Sequence, residues 1–145
     1  MFDEIRAYSD QELLPALHRL WEDQEFRAVV AAVPFIGSIG ELEQASLQCT
    51  SVKQLHKTII HKLLSQLADK TCASLQSEGF ESLDPDKAYI YMSNHRDIVL
   101  DSSFLNVILL NHGLDSCETG IGDNLLIRPW IRDFVRANKS FVVKR

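Results

Sequence analysis

The chain reads as an α/β protein, with helices to about residue 80 followed by strand, helix, strand, helix and strand. Three observations predict this. In the N-terminal half, apolar residues recur at three- and four-residue steps behind S-x-x-E and S-x-x-Q signatures, the spacing that turns one helix face toward a core. A short apolar run, Ala88 to Met92, stops at Asn94-His95, and from Ile98 the apolar spacing is helical rather than alternating. Ser140 to Val143 is a β-favouring run that closes on Lys144-Arg145. This order predicts two parts: a helical subdomain over residues 1–80, and over 81–145 the first strands and helices of a mostly parallel sheet.

Ser9-Asp10-Gln11-Glu12 has the form of a capping box, and Leu13, Leu17 and Leu20, with Leu14 and Trp21, supply the apolar face of a first helix ending near Trp21. Asp23 is placed to cap a second helix, in which Phe26, Val29, Val30 and Val33 lead to a break at Pro34 and Gly37. The stretch AVVAAVPFIG is very apolar. It suits burial against the third helix, or a shallow dip into a bilayer surface or acyl-chain groove; the absence of a basic flank favours burial. Ser51 to Gln54 repeats the box form, and Val52, Leu55, Ile59, Leu63 and Leu67, widened by Ile60 and Leu64, predict a third helix ending before Gly79. His56 and His61 are five apart, so they do not share a face as a metal pair at i and i+4 would, and both are expected at the surface. His18 and His112 have no partner in the sequence and take no role.

Phe80 to Lys87 reads as a loop into a buried strand at Ala88–Met92. The helix that follows carries Ile98, Leu105 and Leu109 on one face, and Gly113 is its natural stop. Gly120-Ile121-Gly122 lacks the third glycine and the later acid of a dinucleotide site; its glycines are expected to let the backbone pass close beneath His95. Trp130, Ile131, Phe134 and Val135 form an apolar helical stripe beside a basic one of Arg128, Arg132 and Arg136, and Asn138 suits the left-handed turn that ends this helix.

Composition narrows the classes. With 145 residues, 46% hydrophobic and 24% charged, the chain has enough apolar side chain for a core, which argues against disorder. Cys49, Cys72 and Cys117 are odd in number and widely spaced, which suggests neither a disulfide framework nor a zinc site and fits a reducing compartment. The first residues, MFDEIRAYSDQ, are acidic and polar where a signal peptide is basic and then apolar, and no apolar run approaches a membrane span; a cytoplasmic protein is expected. Residues 1–127 carry 9 basic and 19 acidic side chains, whereas 128–145 carry 6 basic and one acidic. A basic end on an acidic body suits local attraction of a phosphate or anionic headgroup and is ill-suited to nucleic acid.

The turn after Ala88–Met92 gathers His95, Arg96, Asp97 and Asp101 at the open end of the expected strand, where α/β proteins place ligand sites. Asp97 suits the helix N-cap, with Asp101 one turn further along the same face. A His whose second ring nitrogen is held by a carboxylate is a competent general base toward a hydroxyl, because the carboxylate fixes the tautomer and stabilises the imidazolium. On spacing alone such a pair is more often structural than catalytic.

Asn94-His95-Arg96-Asp97-Ile98-Val99-Leu100-Asp101 resembles the first motif of the glycerolipid (phospholipid/glycerol) acyltransferase family, a His and an Asp followed by an apolar helix. It departs from the family pattern in one respect: the Asp usually stands five positions after the His, where this chain has Leu100. Asp101 is the better match, because Ser102-Ser103-Phe104-Leu105 continue as the family's helix does, and Asp97 is the alternative. Lys139 to Arg145 resembles the second motif, an apolar strand closing on a basic residue that contacts the acceptor's phosphate. Between them, Gly122 to Leu126 and Pro129-Trp130 resemble lysophospholipid or 1-acylglycerol-3-phosphate acyltransferases of bacterial type.

The resemblance implies a peripheral enzyme at the inner face of the membrane that moves a fatty acyl group from acyl-CoA or acyl-ACP to the hydroxyl of a glycerol-phosphate or lysophospholipid acceptor, in phospholipid biosynthesis. In that role His95 is the base, Asp101 or Asp97 its orienting acid, and Arg145 with Lys144 the acceptor phosphate site; no metal or bound cofactor is needed. It also leads one to expect a later Glu-Gly-x-Arg turn and a further proline-containing motif. The chain is therefore expected to be the N-terminal portion of such an enzyme, showing little or no turnover by itself. The alternative is a catalytically silent phospholipid-binding or interaction domain with the same fold.

Overall fold

Asp10–Glu22 (α1) starts where Glu12 reaches back to Ser9, accepting from its backbone N–H at 2.9 Å and its hydroxyl at 2.7 Å. That exchange satisfies donors that the first helical turn would otherwise leave bare. The computed structural model describes residues 2–94 and 96–145. Asp23 then caps Gln24–Ala31 (α2) by accepting from Phe26 N–H at 2.9 Å. Pro34 and Gly37 lie beyond its end, as the sequence predicts. The apolar stretch between them divides: Val30 is buried while Val29 is 47% exposed, so only one side of α2 enters the core.

A helix not anticipated from the sequence follows, Ile39–Leu47 (α3), capped by Ser38, whose hydroxyl accepts from Glu41 N–H. Ser51 does the same for Gln54 N–H, and Gln54 reaches back to Thr50 rather than to Ser51. The helix so begun is continuous from Val52 to Thr71 but not uniform. Val52–Leu55 (α4) passes through a single π turn, His56–Ile60, into His61–Thr71 (α5). It stops at Thr71, well short of Gly79.

The core gathers Leu13, Leu17, Leu20 and Trp21 of α1, Phe26 and Val30 of α2, Cys49, and Val52 and Leu55 of α4. Ala137 and Trp130, from the far end of the chain, close it. They belong to Pro129–Ala137 (α7), which makes with α1 the most extensive contact between any two helices. Phe26 sits among the aromatic rings, with Trp21 edge-on at 5.2 Å and Trp130 and Phe134 tilted at 5.8 and 6.0 Å. The helical half and the C-terminal half therefore share one apolar interior.

Leu100–Asn111 (α6) packs on α5. It ends at Gly113, whose φ of +76° lets Leu114 N–H reach Leu109 C=O and Gly113 N–H reach Leu110 C=O, the paired closure that uses up two of the helix's last carbonyls. Thr119–Gly122 (β1), α7 and Ser140–Val143 (β2) then form a β-α-β unit with parallel strands in the register Thr119 to Ser140 through Gly122 to Val143. The α/β expectation holds at that level: a helix-rich chain with a small parallel sheet.

Among the described residues the sheet has two strands rather than three. Ala88–Met92, expected as a buried strand, is in no ladder, and Ile90 and Met92 are each 93% exposed. Its strand-favouring composition is not matched by a bonded neighbour. The left-handed residue after α7 is also not Asn138 but Lys139, at φ 57°. The Lys139 ammonium is anchored on the Ser116 carbonyl and hydroxyl, and that tertiary hold places the turn one residue later. Among the described residues no helix is long and apolar enough to cross a membrane.

Candidate functional site

Asp97 and Asp101 divide the work of starting α6. Asp97 Oδ1 accepts from Val99 N–H at 2.8 Å and from Leu100 N–H at 2.7 Å, so Asp97 caps the turn that leads into the helix. Asp101 points the other way along the chain. Its Oδ2 accepts from Arg96 N–H at 2.7 Å and from Asp97 N–H at 2.9 Å, folding the carboxylate onto the loop it follows. His95 lies outside the described residues. The carboxylate of Asp101 is thus bonded to the backbone immediately after position 95, whereas that of Asp97 is turned toward the helix.

The loop itself is open. Tyr89 donates no strand bond but accepts Asp84 N–H on its hydroxyl at 2.8 Å, and Ile98 and Val99 are 58% and 60% exposed. Tyr91 is partly covered; burial raises its hydroxyl pKa, and the neighbouring Cys117 and Tyr89 raise it further.

The second half of the expected site stands at the carboxyl ends of β1 and β2. Arg145 lies over Gly122: a Cβ there would come within 3.5 Å of its Nε and 2.5 Å of Asn124 Oδ1. Gly122 is therefore the residue whose missing side chain makes room for the guanidinium. Gly120 plays the same part for the Phe141 ring, 3.1 Å from where its Cβ would be. These described contacts account for the glycine pair, and the passage beneath His95 expected from the sequence concerns a residue outside the described ones. Lys144 is turned to Glu4, at 3.3 Å, and both are exposed. The structure thus brings Asp97, in the loop, and Asp101, in the first turn of α6, together, and gives Arg145 and Lys144 separate surroundings at the end of β2.

Much of the basic C-terminal segment has structural partners. Arg136, expected on an exposed basic stripe, is 8% exposed: its Nε donates to Arg6 C=O at 2.8 Å, its Nη2 to Asp3 C=O at 2.5 Å, and its Cζ lies 4.2 Å from the centre of the Tyr8 ring. The helical spacing is right, but the face that carries Arg136 meets the N-terminal segment rather than solvent. Lys139 is held by Ser116, and Arg128 approaches Glu25 at 3.6 Å. Arg132 and Arg145 are the cations of this segment that have neither a salt bridge nor a side-chain hydrogen bond among the described residues.

Sequence reasoning missed one titratable group altogether. His56, expected at the surface, is 1% exposed, and neither ring nitrogen has a hydrogen-bond partner among the described residues. Burial, and after it the charge of Lys139, lowers its pKa to about 4, with the Ala137 backbone acting slightly the other way. It is the first residue of the π turn, and the rotation of the helix there puts it inside. His61 stays partly exposed and meets Asn111 Oδ1 at 2.8 Å.

Among the described residues no group of three or more His, Cys, Asp or Glu side chains could hold a metal ion. Comparison of the chain with models of protein families, with curated proteins and with solved structures finds no match in any of the three.

Proposed function

We propose that the chain belongs to an O-acyltransferase acting on glycerolipids, with acyl-CoA or acyl-ACP as donor and a glycerol-phosphate or lysophospholipid as acceptor. The observation that carries this reading is the bonding of Asp101 Oδ2 to the Arg96 and Asp97 amides. It holds a carboxylate at the backbone following His95, while Asp97 is turned to capping.

In this mechanism His95 takes the proton of the acceptor hydroxyl as its oxygen attacks the thioester carbonyl. Asp101 fixes the ring and stabilises the imidazolium. The C–S bond then breaks, and the thiolate leaves with the proton that His95 returns. Arg145, at the carboxyl end of β2 over Gly122, holds the acceptor's phosphate, the position at which parallel sheets present ligands. The acceptor is presented from a membrane surface, to which the exposed Ile98 and Val99 lie on the same loop as the acids.

The test is prolonged incubation with labelled acyl-CoA or acyl-ACP and lysophosphatidate, alongside a binding measurement for the acceptor. A trace of labelled diacyl product from the wild type, in keeping with the low turnover expected of it, and none from a folded His95→Ala variant is the expected result. Acceptor bound by both proteins with product from neither identifies a silent phospholipid-binding domain instead. Absence of both acceptor binding and product sinks both readings.

A further inference from the structure

His112 has no partner in the sequence, but the fold gives it two. It caps α6 just before Gly113, and its Nε2 lies 3.1 Å from Ser77 Oγ. Phe80 stacks on the imidazole, with ring centres 5.4 Å apart and planes 20° from parallel. Ser77 and Phe80 both belong to the stretch that follows α5 and returns to the end of α6. One contact sets the plane of the ring, and the other selects the nitrogen that meets the hydroxyl. With the ring proton on Nδ1, Nε2 accepts from Ser77, the arrangement in which an imidazole serves as base toward a serine.

The pair lines a cavity of about 360 Å³ between the C-terminal turns of α5 and α6, a volume in the range of small-molecule sites. Its inner wall is apolar, made by Ala68 and Val107, 6% and 2% exposed, with Ile108 beside them. Asp69 and Cys72 border it on the α5 side. The backbone N–H groups of residues 73–75 and 77, which border the same cavity, bond to nothing among the described residues. They are available to an oxyanion developing on a carbonyl held there. A hydrogen bond that merely tied this stretch to α6 would need neither the apolar wall nor the unbonded amides.

We propose that Ser77 and His112 are a nucleophile and its base, and that they hydrolyse small uncharged carboxylic esters whose acyl part enters the apolar side of the cavity. Ser77 Oγ attacks the carbonyl carbon as His112 Nε2 takes its proton. The adduct then expels the alcohol, which leaves with that proton, and the acyl group remains as an ester on Ser77. Water gives a proton to His112 as it attacks this ester; the carboxylic acid is released and the proton returns to the Ser77 oxygen. The Asp69 carboxylate at the border repels anions, so neither acyl-CoA nor lysophosphatidate suits this cavity. The activity is therefore independent of the acyl-transfer reading.

The experiment treats the full chain with a fluorophosphonate, which bonds to an activated serine with loss of fluoride, and locates the adduct by mass spectrometry of the digest. Hydrolysis of p-nitrophenyl butyrate is followed alongside. The wild type should carry the adduct on Ser77 and lose it when labelled in unfolding concentrations of urea. Ser77→Ala should abolish the adduct, and His112→Gln should slow its formation about a hundredfold. Butyrate hydrolysis should fall in step with labelling. No adduct on folded wild type, an adduct on another residue, or one that forms equally well in urea overturns the proposal. Hydrolysis that survives Ser77→Ala and is lost in Cys72→Ala assigns the nucleophile to the thiol, and also overturns it.

Discussion

Arg19 grips Asp133 through Nε and Nη2, each at 2.8 Å, joining α1 to α7 across more than a hundred residues of chain. Asp133 also accepts the Tyr8 hydroxyl at 2.5 Å, and its side chain is only 13% exposed. Burial alone would raise its pKa, but the hydrogen bonds from Arg19 and Tyr8 outweigh it, so the carboxyl sits below the usual range. A depressed carboxylate adds stability that is present above its unfolded pKa and is lost as pH falls through its folded one.

Asp133→Asn should therefore lower unfolding free energy at pH 7 by about 1–3 kcal/mol, since it leaves the Arg19 fork and Tyr8 hydroxyl with a poorer partner. Tyr8→Phe should cost about 1 kcal/mol, because it removes the hydroxyl but keeps the ring under Arg136. Urea titrations of both and of the double variant measure the coupling. Additive effects would mean that the three groups do not act together.

His56 predicts an acid transition of opposite origin. Its pKa is about 4 in the folded chain and about 6.5 when unfolded, so the proton binds the unfolded state more tightly. Stability should be unaffected above pH 6.5, decline as pH falls toward 4, and reach a loss of about 3 kcal/mol once both states are protonated. His56→Leu should flatten the pH 6.5–4 part of the profile, leaving the carboxylate losses at lower pH. Thermal or urea unfolding at pH 7.5, 5.5 and 4 reads this directly, and an unchanged slope in the variant would remove His56 as its source.

Asp97 and Asp101 should separate when each is replaced. Asp97→Ala removes the cap of α6 and should cost about 1 kcal/mol of stability. Asp101→Asn keeps shape and removes charge, so under the acyl-transfer reading it should lower product formation far more than Asp97→Asn does. The reverse ranking would transfer the orienting role to Asp97.

Gly122→Ala puts a methyl 2.5 Å from Asn124 Oδ1 and against the Arg145 guanidinium. Asn124 is the far end of a side chain and can give way, so the stability change should stay below about 1 kcal/mol. Arg145 is displaced with it, and acceptor affinity should fall as it does in Arg145→Ala. Titration with lysophosphatidate tests the pair. Undiminished affinity in both would place the phosphate elsewhere.

What could be read from the sequence depended on how local its cause was. Ser9 with Glu12, Asp23 and Gly113 each act within one turn of chain, and each does what its residue type implies. The start of α3 was equally local, in Ser38 and Glu41, but Gly40 and the weak apolar periodicity around it hid the signal. Arg136 and Lys139 could not be placed, because their partners, the Asp3 and Arg6 carbonyls and Ser116, are distant in sequence. In the candidate site, the acids and their common loop were legible, while their division of labour depended on which backbone amides each carboxylate reaches.

The π turn at His56–Ile60 lets one helix answer to two neighbours. Each α-helical residue advances about 100° around the axis, so one added residue rotates everything after it by that amount. Val52 and Leu55, before the turn, face α1 and α2, whereas α5, after it, is free to lie along α6. Removing one residue between His56 and Ile60 would leave the composition of the helix almost untouched and make it more regular. It would also swing the apolar side of α5 away from α6, uncoupling the helical layer from the helix whose N-terminal end carries Asp97 and Asp101. In this stretch the count of residues, more than their identity, sets which parts of the molecule meet.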